Sequence, residues 1–456
     1  MRPFEILTFI LASGAFVALI THKQRRTFLY ILFFATISSI LQYYIEGSRW
    51  QFTPIIYSLP LMYIFHKTEK SSTSIFKKTI IISCLFIGLI LCVIIPVFQL
   101  PHPNGPYNVG TESFHWIDST RKELFTIEDT TDYREIIVQS WYPTKNTINQ
   151  KPEPYLDYIE LRSRTMAAAA SLPSFLPNHL KFVKSNSVKN TFCATEKAPV
   201  LIFSHGITGS RHLHQAMFEF LASRGYIIFA PDHSFDANIT IFPNKKIANY
   251  RSEITGHPDS VNIRRMQMNT RSSDMLFILN QIEKINSGDI KSFLKNKINL
   301  DMVAVGGHSY GGATATLASF IEPRIKACFN LDGWISPVPK EVILNGIKIP
   351  FLFIGRPSWK KSDYPENYNL LQSLMFNSKE PKYSLIVQKT EHLDFTDIPL
   401  FSPIIRYVVE VGTLSSSYSV SLLNNIIFEF LEKELRKSKT SNFNNLISKK
   451  IITHLK

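Results

Sequence analysis

The chain has 456 residues, which is enough for two or three structural units and one large hydrophobic core. Its four cysteines do not make a disulfide framework, and two of them, Cys84 and Cys92, lie inside apolar runs. Cys193 and Cys328 are better explained as buried free thiols, although a pair stays open. The formal charge of +14 comes without any nucleic-acid-binding motif, so we expect no nucleic-acid partner and favour attraction to anionic lipid.

Four apolar runs fill the N-terminal region, at about Phe4–Ile20, Phe28–Ile45, Phe52–Phe65 and Thr79–Leu100. The second and fourth are long enough to cross a hydrocarbon core of about 30 Å. The first carries Glu5 near its end, and the third is short and contains Pro54 and Pro60. A cleaved signal peptide fits poorly, because the charged residues follow the first run instead of preceding it. The pattern predicts an N-terminal bundle of about four transmembrane helices, with three spans or a re-entrant third segment as the alternative.

The basic residues between these runs predict the orientation of the bundle. The first and third loops carry Lys23, Arg25, Arg26, Lys67, Lys70, Lys77 and Lys78. The second loop has only Arg49, which Glu46 balances. Loops rich in Lys and Arg stay cytoplasmic. We therefore expect a multi-pass protein of the cell (inner) membrane, with its N-terminus and everything beyond Leu100 on the extracytoplasmic side.

Composition shifts along the chain predict four regions. They are a transmembrane region at 1–100, a Pro- and Gly-rich linker at 101–115, a catalytic domain at 116–436 and a basic tail at 437–456. Within the domain, Glu135–Tyr142 is predicted as a strand and Tyr155–Ser171 as a helix that packs on the core, the alternative being a cover over the site. The tail is expected to be a frayed helix, either solvated or in contact with lipid headgroups.

From Ala198 onward, strands alternate with helices. The predicted strands are Pro199–Ser204, Tyr226–Ala230, Met302–Val305, Ile325–Leu331, Pro350–Ile354 and Tyr383–Val387, and the predicted helices are Leu213–Ser223 and Ile263–Lys284. This alternation is typical of right-handed crossover units and a parallel sheet. Asp236–His257 is expected to be a long inserted loop. The fold class is therefore α/β, with a mostly parallel central sheet and helices on both faces.

The stretch Met302–Ala315, M-V-A-V-G-G-H-S-Y-G-G-A-T-A, has the order strand, tight turn, helix. It contains G-x-S-x-G, formed by Gly307, Ser309 and Gly311. The elbow glycines leave room for the strand and the helix to pass close to each other. The motif alone recurs in unrelated proteins, but in this context it predicts Ser309 as a nucleophile at the tip of a strained turn.

A serine nucleophile needs a base within hydrogen-bond reach, and the base needs an orienting acid. In α/β-hydrolases they follow in the chain order Ser, Asp or Glu, His. Asp332 lies at the carboxyl end of a predicted strand and is the candidate acid; Asp363, in a polar loop, is the runner-up. His392 is the histidine that follows in the right place, whereas His454 lies in the tail. Asp394 and Asp397 are expected to solvate or orient the loop of His392.

Stabilising the tetrahedral intermediate requires backbone donors that face its oxyanion. One is the N–H of Tyr310, directly after the nucleophile. The other is expected from S-H-G-I-T-G, where Ile207 is the donor and Gly206 lets the backbone turn. His205 is then a loop-orienting residue. A zinc site of His205 with His212 and His214 is disfavoured, because no carboxylate or cysteine completes the ligand set.

Taken together, these stretches resemble the platelet-activating factor acetylhydrolases, the plasma and intracellular type II group also called lipoprotein-associated phospholipase A2. The matching segments are R-K-E-L-F-T (121–126), V-Q-S-W-Y-P (138–143), L-I-F-S-H-G (201–206), G-H-S-Y-G-G-A-T (307–314), N-L-D-G-W (330–334) and E-H-L-D-F-T-D (391–397). The resemblance implies an α/β-hydrolase fold, with Ser309 as nucleophile, Asp332 as acid, His392 as base, and Ile207 and Tyr310 as oxyanion donors. The membrane region is a departure from the secreted members and would suit a membrane-attached bacterial relative.

The predicted function is that of a membrane-anchored serine ester hydrolase without metal or organic cofactor. Its expected substrate is a lipid or other ester, and the favoured one is a phospholipid with a short or oxidised sn-2 acyl chain. A general carboxylesterase, a polyester hydrolase or an acyltransferase is the alternative with the same triad. A catalytically inactive membrane scaffold or sensor is the alternative from another class, which the complete triad disfavours.

Overall fold

The computed structural model describes residues 1–21, 25–68, 74–145, 147, 150–252, 259–362 and 364–455. The chain divides into two compact units. The first contains Met1–Phe98 together with the short segments Asn178–Val183 and Phe401–Ile405. The second contains Gln99–Pro177, Lys184–Leu400 and Arg406–Lys456.

The described residues of the first unit form four α-helices: α1 (Pro3–Thr21), α2 (Arg25–Leu41), α3 (Thr53–Thr68) and α4 (Ile75–Ile94). Three helical segments of the described chain are long and apolar enough to cross a membrane: Pro3–Thr21, Arg26–Glu46 and Ile75–Ile94. α3 has 16 residues with Pro60 inside it, and does not meet that length. α4 also ends before the predicted limit at Leu100, because Pro96 disfavours a helical conformation at Ile95.

One end of this unit is held by buried polar side chains. Arg49 donates to both carboxylate oxygens of Glu5 in α1, at 2.7 and 2.8 Å. Its Nη1 donates to the carbonyl of Ile95 after α4, at 3.0 Å. Arg2 donates to the carbonyl of Glu46 at the end of the second segment. The start of α1, the end of the second helical segment, the start of α3 and the end of α4 therefore lie together.

Side chains at the opposite helix ends meet in the same way. The ring of Phe28 in α2 packs against His66 near the end of α3, with ring centroids 4.7 Å apart. Lys77 at the start of α4 lies over the ring of Phe65, 5.3 Å from its centroid. Successive helices of this unit therefore run in alternating directions, so that α3 reaches from one end of the bundle to the other.

The second unit is built on one large sheet. Its strands in chain order, including a separate two-stranded pair (β6 and β7), are β1 (Asn108–Lys122), β2 (Tyr133–Thr144), β3 (Ser187–Lys189), β4 (Ala198–Ser204), β5 (Ile227–Asp232), β6 (Ile239–Ile241), β7 (Ile247–Asn249), β8 (Ile298–His308), β9 (Ile325–Leu331), β10 (Phe351–Gly355), β11 (Lys382–Val387) and β12 (Ile452–His454). The helices are α5 (Ile159–Ala169), α6 (Gln215–Ala222), α7 (Ser260–Ser287), α8 (Tyr310–Ile321), α9 (Lys340–Asn345), α10 (Asn367–Asn377), α11 (Ser416–Glu434) and α12 (Phe443–Ile447).

The sheet has ten strands in the order β12-β11-β10-β9-β8-β4-β5-β2-β1-β3. The six strands from β11 to β5 in this order run parallel, whereas β2 pairs antiparallel with β1 and β5, and β12 pairs antiparallel with β11. Helices α7 to α10 pack on one face and α6, α11 and α12 on the other. In β4, Val200 and Ile202 face the first layer and Leu201 and Phe203 the second, because successive side chains of a strand point to opposite faces. This large mixed sheet, covered on both faces, fits the predicted α/β-hydrolase fold.

Three sequence expectations need correction. The predicted linker at 101–115 is too long, since β1 begins at Asn108 and its residues pair in antiparallel register with β2 from Asn108 onward. The predicted loop Asp236–His257 contains the hairpin β6–β7, and its residues 253–257 lie outside the described part. The tail at 437–456 is not a frayed helix: α12 buries Phe443, and Ile452 pairs with Val387 at the sheet edge. A β-strand of three residues is too short to show the alternating pattern from which a strand is predicted.

Candidate active site

Ser309 lies between the last residue of β8 and the first residue of α8, and it is 8% exposed. Its backbone has φ 56° and ψ −123°, a conformation that non-glycine residues rarely adopt. A Cβ at position 307 would collide with the carbonyl of Gly311, and a Cβ at 311 with the carbonyl of Ser204. Glycine is therefore required at both elbow positions, because α8 leaves the turn directly against β8 and β4. The predicted strand–turn–helix order is present in the structure.

Asp332 follows β9 and is fully buried. Its Oδ1 accepts hydrogen bonds from the backbone N–H of Arg356, at 3.1 Å, and from the indole N–H of Trp359, at 3.0 Å. The guanidinium of Arg356 lies 3.3 Å from Oδ2. These contacts compensate the burial of a carboxylate and fix the direction of each of its two oxygens.

His392 joins the serine to the aspartate. Its Nδ1 lies 2.6 Å from Asp332 Oδ2, and its Nε2 lies 2.9 Å from Ser309 Oγ. Because a carboxylate can only accept, Nδ1 carries the hydrogen and Nε2 is free to accept the hydroxyl proton of Ser309. The imidazole is 19% exposed, whereas the carboxylate is completely covered. The structure thus brings together the three side chains that the chain order predicts, in hydrogen-bond geometry.

The loop that carries His392 is held by two buried groups. Asp394 accepts the backbone N–H of Glu391 at 2.7 Å and that of Gly412 at 2.6 Å, so this carboxylate orients the loop and does not solvate it. His308 donates from Nε2 to the carbonyl of His392 at 3.0 Å. Burial, followed by the proximity of His392, holds the pKa of His308 well below its ordinary value. His308 is therefore a neutral donor that fixes the backbone of the histidine beside the serine.

The two predicted oxyanion donors lie on either side of the elbow. Tyr310 begins α8, where the first backbone N–H groups have no partner within the helix. Ile207 follows Gly206, and a Cβ at position 206 would lie 3.3 Å from the Cβ of Ser309. Across the described residues, neither the N–H of Ile207 nor that of Tyr310 has a hydrogen-bond acceptor. Both donors are therefore free beside Ser309.

A buried polar network, which no sequence motif predicted, holds the loop that follows β4. His205 donates from Nδ1 to the carbonyl of Gly206 at 2.6 Å and accepts the N–H of His233 on Nε2 at 3.2 Å. Burial, with Arg271 as the next cause, keeps the pKa of His205 well below its ordinary value. Arg271 donates to the carbonyl of His205 and to Ser204 Oγ. His205 therefore orients the loop, as expected.

The network continues away from the elbow through a second serine, histidine and aspartate. Ser204 Oγ lies 2.9 Å from His233 Nε2, and His233 Nδ1 lies 2.9 Å from Asp274. Arg134 pairs with Asp274 at 2.7 Å. Ser204, His233 and Asp274 are all completely buried. Because water and substrate do not reach these three side chains, this second set is structural. Its hydrogen bonds hold the carboxyl end of β4 in place.

The remaining sequence candidates take no part in this geometry. His454 lies in β12 at the sheet edge, and Asp363 lies outside the described residues. His212 is buried beside Asp157, at 3.5 Å. Among the described residues, no group of three or more His, Cys, Asp or Glu side chains has the arrangement of a metal site.

Asp397, which follows the loop of His392, is buried and lies at the start of α6. Its carboxylate accepts the N–H of Ala216 at 3.3 Å and the hydroxyl of Tyr155 at 3.2 Å. Burial raises the pKa of Asp397 to about 7, against the opposing effect of these donors. The buried Glu219 in the same region also has its pKa raised, to about 8, chiefly by burial.

We expect Asp397→Asn to become progressively more stable than the wild type as the pH rises from 5 to 8. The raised pKa of Asp397 means that the folded protein favours the neutral carboxyl group. The stability that the neutral group contributes is present below the unfolded pKa of about 3.9 and is lost as the pH rises through the folded pKa of about 7. Because an amide does not ionise, the variant does not lose this stability, and its expected gain in the free energy of unfolding over the wild type is on the order of 2 kcal/mol. Thermal unfolding in detergent at each pH measures it, with the exposed Asp289→Asn as control. A pH-independent difference between variant and wild type would contradict the raised pKa.

Comparison with known proteins identifies the family. Residues 94–451 match the family described as platelet-activating factor acetylhydrolase, isoform II. The chain belongs to this family. Its relatives include the platelet-activating factor acetylhydrolase of Canis lupus familiaris, 26% identical over 361 residues that cover 74% of this chain and 77% of the relative. That of Bos taurus is 28% identical over 362 residues, which cover 74% of this chain and 77% of the relative.

A solved structure with the same fold is the ferulic acid esterase from Streptomyces cinnamoneus. It has a TM-score of 0.63 at 23% sequence identity, and the match covers 79% of this chain and all of the esterase chain. The resemblance to the acetylhydrolase family seen in the sequence is thus confirmed, and the protein is a carboxylic ester hydrolase. The family match begins at residue 94, so helices α1 to α3 and all of α4 except its last residue lie outside it.

Proposed function

We propose that this member of the acetylhydrolase family is a membrane-anchored serine hydrolase that removes short or oxidised sn-2 acyl chains from phospholipids. One observation carries the proposal: Ser309 Oγ, His392 and Asp332 form a continuous hydrogen-bonded chain, with distances of 2.9 and 2.6 Å. A hydroxyl linked in this way to an oriented imidazole is the nucleophile of acyl transfer.

In the first half-reaction, Ser309 Oγ attacks the ester carbonyl while its proton passes to His392 Nε2. The negative charge that develops on the carbonyl oxygen is stabilised by the N–H groups of Ile207 and Tyr310 and by the N-terminus of α8. Asp332 stabilises the imidazolium through Nδ1. The carbon–oxygen bond to the leaving alcohol then breaks, and this alcohol takes the proton from Nε2. The acyl group remains on Ser309.

In the second half-reaction, water replaces the alcohol. His392 Nε2 accepts a proton from the water as its oxygen attacks the acyl-enzyme carbonyl, and the same two N–H groups stabilise the second oxyanion. Collapse of this intermediate returns the proton to Ser309 Oγ and releases the carboxylic acid. No step requires a metal ion or an organic cofactor.

The substrate class is supported by the relatives, whose names describe acetylhydrolases of platelet-activating factor. The apolar helices of the first unit support a lipid substrate independently, because an enzyme held at a membrane meets phospholipids at high local concentration.

We further propose that α3 also crosses the membrane, which gives four spans. The alternating helix directions support this, as does the position of the basic residues. Arg26, Lys67, Lys77 and Lys78 lie at one end of the bundle, which is then the cytoplasmic end. Lys23 and Lys70 lie outside the described residues. A helix of 16 residues spans about 24 Å, which local bilayer thinning accommodates.

This topology places the second unit on the extracytoplasmic side. A cysteine introduced at the exposed Lys360 tests it in intact cells with a membrane-impermeant thiol reagent. Labelling from outside supports the orientation. Labelling that requires permeabilised cells would reverse it.

The proposed activity is tested with detergent-purified protein on a series of p-nitrophenyl esters and 2-acyl phospholipids. Faster hydrolysis of short sn-2 acyl phospholipids than of long-chain ones supports the proposal. Hydrolysis of simple esters alone would keep the mechanism and make the protein a general carboxylesterase. A folded protein that hydrolyses none of them and does not react with a fluorophosphonate probe would be a membrane scaffold or sensor.

A further inference from the structure

Arg264, in the first turns of α7, has its guanidinium packed on two aromatic rings. The guanidinium carbon lies 4.8 Å from the ring centroid of Trp334 and 5.2 Å from that of Tyr364. The two rings are themselves in contact, with centroids 4.2 Å apart. Nη2 donates to the hydroxyl of Tyr364 at 2.9 Å. The aromatic faces and this hydrogen bond hold the arginine side chain in one orientation.

This cluster of Arg264, Trp334 and Tyr364 adjoins the elbow. The backbone N–H of Trp334 donates to the carbonyl of Ser309 at 3.2 Å, and its ring lies 5.5 Å from that of Tyr310. The hydroxyl of Tyr310 donates to the carbonyl of Arg264 at 3.0 Å. The cluster is therefore connected to the nucleophile and to one oxyanion donor by direct hydrogen bonds.

Among the described residues, no carboxylate compensates the charge of Arg264. Arg271 pairs with Asp236 at 3.2 Å and Arg356 with Asp332 at 3.3 Å, but within the described chain no carboxylate forms an ion pair with Arg264. Its Nη1 has no acceptor there, and its Nε is buried without one. The indole N–H of Trp334, a side chain that is 6% exposed, is likewise buried without an acceptor.

Unsatisfied buried donors beside a reaction centre indicate that a ligand supplies the missing acceptors. The donors here are a guanidinium and an indole N–H, so the complementary group is an anion with several oxygen atoms. Arginine in a fixed orientation matches the oxygens of a phosphate in a planar, two-point arrangement. In a glycerophospholipid, only two carbon atoms and one oxygen atom separate the sn-2 ester oxygen from the phosphorus.

We propose that Arg264, supported by Trp334 and Tyr364, binds the phosphodiester of the phospholipid whose sn-2 ester lies at Ser309. This assignment rests on the proposed function and adds the group by which a phospholipid is distinguished from a neutral ester. Arg264 holds the headgroup, so the ester carbonyl reaches Ser309 in a defined orientation.

The test compares two substrates that differ only in the headgroup, 1-alkyl-2-acetylglycerophosphocholine and 1-alkyl-2-acetylglycerol, in the same detergent. The quantity measured is the ratio of kcat/KM for the first to that for the second. We expect Arg264→Gln to lower this ratio about ten- to a hundredfold, because a charge-assisted contact to phosphate is lost. Arg264→Lys keeps the charge and should restore part of the ratio.

Arg265→Gln is the matched control, since Arg265 is the next residue of the same helix, carries the same charge and is exposed. Its ratio should equal that of the wild type. An equal loss on both substrates in Arg264→Gln would make the cluster a structural stack, and an unchanged ratio would show that no phosphate is bound there; either result overturns the proposal.

Two further results distinguish headgroup binding from the binding of free phosphate and from failure of the proposed function. Inhibition by inorganic phosphate that depends on Arg264, together with an unchanged substrate ratio, would assign the site to free phosphate and overturn the headgroup assignment. Failure of the wild type to hydrolyse either substrate would overturn the proposed function itself, whereas wild-type hydrolysis of both with no effect of Arg264 overturns the subsite alone.

Discussion

Replacing Ser309 by alanine is expected to lower kcat for ester hydrolysis by about four to six orders of magnitude. The variant retains the imidazole and the oxyanion donors but has no atom that can form the acyl-enzyme. Binding should change little, because the hydroxyl is a small part of the site, so KM is expected to stay near the wild-type value. Hydrolysis of a p-nitrophenyl ester by purified protein measures both constants.

The backbone at Ser309 makes the control important. Alanine must adopt the same positive φ of 56°, so the variant needs an independent demonstration of folding, for which the thermal unfolding midpoint serves. Ser373→Ala, on an exposed position of α10, is the matched serine variant and should keep full activity and fluorophosphonate labelling. Labelling that persists in Ser309→Ala would identify a different nucleophile and end the present assignment.

Features encoded in a short stretch of sequence were predictable. The elbow is one of them, because an apolar strand, two glycines at fixed positions and a run of small helical residues are contiguous from Met302 to Ala315. The chain order Ser, Asp, His then predicts Asp332 and His392 as the acid and the base, and each lies just after a strand. Parallel strands bring their carboxyl ends to one edge, so residues far apart in sequence meet there.

Features formed between distant segments were not predictable. Arg271 reaches the carbonyl of His205, and Trp359 reaches Asp332, but neither residue belongs to a motif or shows a periodic pattern. Their partners are fixed only when α7 and the loop after β10 pack against the sheet. One signal was available for Trp359, since it follows the strand beside β9 and such positions lie at the same sheet edge.

The pairing of β12 with β11 was missed for a related reason. A strand of three residues, Ile452–His454, has too short a pattern to be distinguished from a solvated tail. Its stability comes from the edge of an already formed sheet and from the burial of Ile452, with Phe443 packed nearby. Tertiary packing decides the structure of such a segment, and local preference contributes little.

Asp332→Asn is expected to reduce kcat about 10⁴-fold at neutral pH without unfolding the protein, and the reason lies in the two oxygens of this carboxylate. Oδ1 accepts N–H groups from Arg356 and Trp359, at 3.1 and 3.0 Å. An asparagine side chain must therefore keep its oxygen at that position and direct its NH₂ group to the position of Oδ2, where His392 Nδ1 lies 2.6 Å away.

That arrangement reverses the tautomer of His392. Nδ1 would accept a hydrogen bond from the amide, so the proton would move to Nε2, and the imidazole could no longer accept the proton of Ser309. The loss should appear in kcat, with KM nearly constant and with slower fluorophosphonate labelling of Ser309. The exposed Asp301→Asn is the matched control and should be fully active. An active Asp332→Asn would show that another carboxylate orients His392, and the next variant would then be Asp363→Asn, because Asp363 is the other acid that the chain order allows.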